Sequence, residues 1–170
     1  MIDIPAHWQA AWQATPASAW LAVGAVVLLQ RVARRFGLWI YAAFALPGTL
    51  AHELAHYGVA LLLAARPQLP RLWPERTATG WRLGSVAFRA PWWRAGPIAL
   101  APLLLAPAAL AWCVLLVAGA SGAWLALHAW IAGTLFGAAL PSRADVRIAL
   151  PFLALASVVV LSAFAWHRLA

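Results

Sequence analysis

Lysine is absent from this chain of 170 residues, and acids are nearly so: two Asp and two Glu face twelve Arg, for a formal net charge of +8. Charged residues make up 9% of the chain and apolar ones 65%, against roughly 25% and 45–50% in a soluble domain. That balance excludes a water-soluble globule. The single cysteine, Cys113, excludes a disulfide within the chain and leaves the compartment undetermined; its apolar run makes it a packing residue. The arginines are scattered between apolar runs and do not form one basic face, so the pattern reads as membrane topology and no nucleic-acid partner is expected. The N-terminus lacks the positive lead of a secretory signal, and the first apolar run is expected to be retained.

What the chain has in quantity is uncharged length. Residues 95–142 carry no charge, too many for one crossing, and Ala-Gly-Ala-Ser-Gly at 118–122 divides them into two antiparallel helices. The expectation is a single all-α, multi-pass membrane domain over residues 1–170, with five spans near 16–35, 38–65, 97–118, 122–140 and 147–167. The first is short and must extend to Arg35 with its arginines snorkelling; four spans plus an interfacial helix is the fallback. Tryptophans 20, 39, 73, 92, 93, 124 and 166 fall near predicted span ends, as an aromatic belt requires. Between the second and third spans, the surface loop 66–94 turns to Pro, Arg, Trp, Thr and Gly. The turn signal Thr79-Gly80 followed by partial strand character to Arg89 predicts a small hairpin at the membrane surface, or a plain polar loop. With five spans this loop and the 141–147 turn share one side and eight of the twelve arginines, which predicts that side to be cytoplasmic. Membrane lipid is an expected partner throughout.

Inside the second predicted span stands His52-Glu53-Leu54-Ala55-His56. On a helix, positions i and i+4 project from one face a turn apart, so two imidazoles can hold one zinc ion while Glu53 reaches the water at the open coordination position. Zinc lowers the pKa of such a water toward about 7 and the carboxylate takes its proton, giving a nucleophile for a peptide carbonyl. Charges at this depth cost a few kcal/mol each and persist where they work. A third ligand has few sources. Asp3, His7 and His167 fall at the interfaces. His128 is axially mismatched with His56 and is expected to pack or hydrogen-bond, Glu75 reads as a solvated loop charge, and Asp145 reads either as a ligand or as a cap or ion-pair partner at the start of the last span. For ligation Asp145 must sit deeper than a plain loop places it, and Pro141 offers a route by ending the preceding helix early.

The chain resembles the site-2 proteases, a family of intramembrane zinc metalloproteases. The likeness rests on His52-Glu-Leu-Ala-His56 within a span, Ala95-Gly96-Pro97-Ile98-Ala99 opening a later span after a strand-containing loop, and an acid, Asp145, after the next span. It covers roughly residues 38–160. The resemblance implies Zn2+ held by His52, His56 and Asp145, with Glu53 as catalytic base. It also implies a transmembrane protein substrate received as an added strand along 77–90, with Ser85, Val86, Ala87, Gly96 and Pro97 as substrate contacts. Leu100 stands where the family commonly has asparagine, and Ala144-Asp145-Val146 where it has Leu-Asp-Gly. A minimal core without accessory domains, in a prokaryotic plasma membrane, is the expectation. The alternative is a non-proteolytic membrane scaffold in which the metal only organises structure; Glu53 separates the two, because a structural zinc site needs no base.

Overall fold

The computed structural model describes residues 6–77 and 80–169; Asp3, Thr79 and the side chain of His7 lie outside the described residues. The chain is mostly helical: α1 Ala6–Ala14, α2 Ala17–Ala33, α3 Leu38–Leu62, α4 Trp92–Leu100, α5 Leu105–Trp112, α6 Gly122–Ala138 and α7 Arg143–Leu169, with one hairpin, β1 Glu75–Thr77 and β2 Gly80–Arg82. A 3-10 segment, Ala101–Leu104, joins α4 to α5, and a π turn, Cys113–Val117, continues α5 to complete one rod. Pro97 and Pro102 explain its irregular start, since each removes an amide from the helical ladder.

Three helical stretches are long and apolar enough to cross a membrane: Ala17–Phe36, Trp92–Val117 and Arg143–Arg168. The first reaches 20 residues because a 3-10 turn, Arg34–Phe36, prolongs α2. The α3 helix has 25 residues, but its polar His52, Glu53 and His56 dilute its hydropathy, and α6 has 17. The break between α5 and α6 falls where the Gly-rich stretch predicts it, at Gly122 with φ +55°, a left-handed turn that glycine takes without cost. The short α1 has no counterpart in the sequence expectation; Thr15 and Pro16 end it, and the Trp12 ring lies tilted against Trp20, 4.7 Å between centroids.

Helices in a bilayer gain little from burying apolar surface against one another, so close backbone approach and dispersion hold them together. Glycines provide it here. A Cβ on Gly48 of α3 would overlap the Thr134 carbonyl of α6, and one on Gly96 of α4 would overlap Phe152 of α7. On the other side of α6, Gly133 meets Val23 and Val26 of α2, and Gly137 meets the Gln30 amide. These contacts advance along α2 and α6 in the same sense, whereas five alternating spans would run the two in opposite senses. Buried Ala19, Val23, Cys113, Val117, Ala129 and Ala132 fill the space between α2, the π turn and α6. Cys113 is fully buried, as its run predicts.

After α3 the chain reverses on Ala64 and Arg66, both left-handed at φ 51° and 49°, a conformation that costs an L-residue about 1 kcal/mol or more. Residues 65–71 then pair with 85–89: Arg89 N–H donates to Ala65 O at 2.9 Å, Gln68 N–H to Ala87 O at 2.8 Å, and Arg71 and Ser85 exchange both bonds at 2.9 Å. The hairpin pairs Glu75 with Arg82 and Thr77 with Gly80, so the expected strand to Arg89 is regular only through Arg82 and returns as the Ser85 bridge. The loop folds back along α3: Trp73 packs on Trp39 at 5.3 Å between ring centroids, and a mainly apolar groove of about 290 Å³ opens between Leu46 and Thr49 on one wall and Trp73 and Leu83 on the other.

Candidate metal centre

The two histidines of α3 share a face because they are four residues apart on an unbroken helix. His52 Nδ1–H donates to Ala138 O at 2.7 Å, and His56 Nδ1–H donates to Ile98 O at 2.8 Å. Both acceptors are carbonyls that a regular helix would have satisfied internally. Ala138 is the last residue of α6, whose final carbonyls have no helical amide ahead of them. Four residues beyond Ile98 stands Pro102, which has no N–H, so Ile98 O takes one 3-10 bond from Ala101 and keeps a lone pair for His56.

With each Nδ1 hydrogen committed to a carbonyl, each Nε2 is a bare lone pair. These two atoms face each other at 3.2 Å, an arrangement that repels unless a cation lies between. Asp145 completes a triangle, with Oδ1 3.4 Å from His56 Nε2 and Oδ2 3.6 Å from His52 Nε2. Ligand atoms on a tetrahedral zinc at about 2.0–2.2 Å stand about 3.3–3.6 Å apart. The three residues therefore form a group that can hold a metal ion, and their spacing and N,N,O donor set fit zinc.

Asp145 reaches this position from the first turn of α7. Ser142 N–H donates to Asp145 Oδ2 at 2.7 Å and Asp145 N–H donates to Ser142 Oγ at 3.2 Å, a reciprocal capping box worth about 1 kcal/mol. Its capping and its approach to the imidazoles are thus simultaneous. The depth mismatch resolves through helix ends: α3 stops at Leu62, leaving His56 about 9 Å from its end, and α6 ends level with His52. Arg94 ties the end of α3 to the start of α4, Nη1–H donating to Leu63 O at 3.2 Å.

Glu53 is buried at 6% exposure, and the loop lies directly on it. A Cβ at Gly84 would sit 2.7 Å from both Glu53 Cγ and Oε1. Ser85, Val86 and Ala87 follow in extended chain. Ser85 and Ala87 bond back toward Arg71 and Gln68, so by strand alternation the N–H and C=O of Val86 point to the opposite edge. Gly96 is buried, with Phe152 of α7 against it, and Pro97 follows it in α4. His128 is far from the ligand set, with ring centroids 6.0 Å from both Trp112 and Trp124. Glu75, expected as a solvated loop charge, is partly exposed and accepts from Arg82 Nη2 at 2.7 Å across the hairpin.

No family model, curated protein or solved structure matches the chain. The site's chemistry rests on its own residues. Sequence reasoning missed the Ala138 and Ile98 carbonyls and the Gly84 contact. Pro102, four residues after Ile98, was the one local signal that could have found an orphaned acceptor.

Proposed function

We propose that this protein is a zinc-dependent intramembrane endopeptidase, similar in plan to the site-2 proteases, that cleaves a transmembrane or membrane-adjacent segment of another protein. The observation that carries the reading is the convergence of two carbonyl-oriented imidazoles and Asp145 beside a buried Glu53. His52, His56 and Asp145 would hold the ion. Zinc, when bound, supplies a Lewis acid that polarises a carbonyl and makes water more acidic. Glu53 has no place in the ligand triangle and is free to accept a proton from water and pass it to the leaving amine. The extended 84–87 segment, adjacent to Glu53, offers an open edge on which an unwound substrate strand can align, with Ser85, Val86 and Ala87 as its contacts.

For the thread, α3, the α4–α5 rod, α6 and α7 serve as four crossings, and α2 packs along α6 rather than lying as the interfacial helix of the fallback. A fifth crossing by α2 requires its two ends to label from opposite sides of the membrane. The 66–94 loop and the 141–147 turn meet at the metal centre and lie on one side, the cytoplasmic one of a prokaryotic plasma membrane by their arginines.

The test is metal analysis of detergent-purified protein coupled to a cleavage assay. Near-stoichiometric zinc, lost in the His52→Ala, His56→Ala double variant, together with cleavage abolished by Glu53→Gln, is the expected result. Zinc binding without any Glu53-dependent cleavage would replace the protease with the scaffold.

A further inference from the structure

The loop between α3 and α4 carries five arginines, at 66, 71, 76, 82 and 89, and one acid, Glu75. Between its paired segments lies a cavity of about 270 Å³, lined by Gln68, Leu69, Arg71, Glu75, Arg82 and Ser85. Arg82 is bonded to Glu75; Arg71 is the other cation on the wall, and no ion pair to it occurs among the described residues. Two guanidinium groups, an amide and a hydroxyl make a donor set that suits a phosphate, whose oxygens accept several charge-assisted bonds at once. The surroundings point to the source of that phosphate. Leu69, on the wall of the same cavity, is 76% exposed, and an exposed apolar side chain beside a cationic pocket is the pattern of a lipid interface, not of a site for a soluble anion.

We propose that this cavity is a binding site for the headgroup phosphate of an anionic phospholipid, with Arg71 and Arg82 as its cationic walls and Leu69 set against the acyl region. Because Ser85 follows Gly84, which rests on Glu53, a lipid held there anchors the segment that covers the candidate base. The site is independent of the metal triad.

Native mass spectrometry of the detergent-purified full chain tests it, with phosphatidylglycerol, phosphatidylcholine of the same acyl chains, or inorganic phosphate added in separate titrations. Retained phosphatidylglycerol adducts are expected in excess over phosphatidylcholine, and Arg71→Gln should weaken that preference about fivefold, as one arginine at an anionic surface does. Arg71→Gln, Arg82→Gln should remove it. Leu69→Ser should weaken lipid retention while both arginines remain. Equal retention of the two lipids, or unchanged preference in the double arginine variant, would overturn the site. Binding of inorganic phosphate as tight as that of the lipid would overturn its assignment to lipid. Zinc content and lipid-free melting temperature, measured on each variant, show that the chain is folded.

Discussion

At the scale of single residues, Glu53, Gly84 and Asp145 each carry a separable role. Glu53 is beside the ligands without being one of them, so Glu53→Gln should keep zinc and fold while losing turnover by at least about 10²-fold, the usual size of general-base catalysis; kinetics and metal content on the same preparation check it. Gly84→Ala places a methyl against the flexible end of Glu53. That variant is expected to fold and bind zinc normally, with turnover reduced because the carboxylate is displaced. Asp145 divides more finely. Asp145→Asn can still accept the Ser142 amide but presents no anionic ligand, so it should retain helix stability and lose zinc affinity, whereas Ser142→Ala should cost about 1 kcal/mol of stability and leave the ligand set intact. Thermal melts beside zinc titrations separate the two.

At the scale of elements, the site exists because helices end or break where a histidine needs an acceptor. The α6 terminus supplies Ala138 O to His52, and the proline-interrupted start of the α4–α5 rod supplies Ile98 O to His56. Pro102→Ala restores an amide that competes for Ile98 O. Since outer-shell partners of metal ligands are commonly worth 10–100-fold in affinity, zinc affinity should fall by about tenfold while α4 becomes more regular, measurable by competition with a chelator. Gly48 lets α3 lie against α6 closely enough for the His52 bond. Gly48→Val should push the helices apart and lower both thermal stability and zinc content.

At the scale of the whole molecule, the candidate metal centre joins three separate parts of the chain: α3, the end of α6 with the start of α7, and α4 through Ile98. A ligand that binds only the folded state stabilises it by about 2.7 kcal/mol at a hundredfold excess over its dissociation constant. Chelation should therefore lower the melting temperature of the wild-type protein and leave that of the His52→Ala, His56→Ala variant unchanged. Cysteines at Gln68 and Ser142 in a Cys113→Ala background should label from the same side of the membrane; opposite sides would contradict a centre that both segments approach.

The sequence by itself determined the apolar, span-length helices, the helical content, the break near Gly122 and the His52/Glu53/His56 face, because these follow from composition, run length and the 3.6-residue period, all of them local properties. The acid could be narrowed to Asp145 by scarcity. Only the tertiary structure decided that Asp145 caps α7 and faces the imidazoles at once, that Gly84 covers Glu53, that α2 and α6 advance together, and that two backbone carbonyls orient the ligands. His52 and Ala138 are 86 residues apart, and His56 and Ile98 are 42. No local pattern encodes such a pairing; it depends on which helix ends the packing of small residues brings to the same depth.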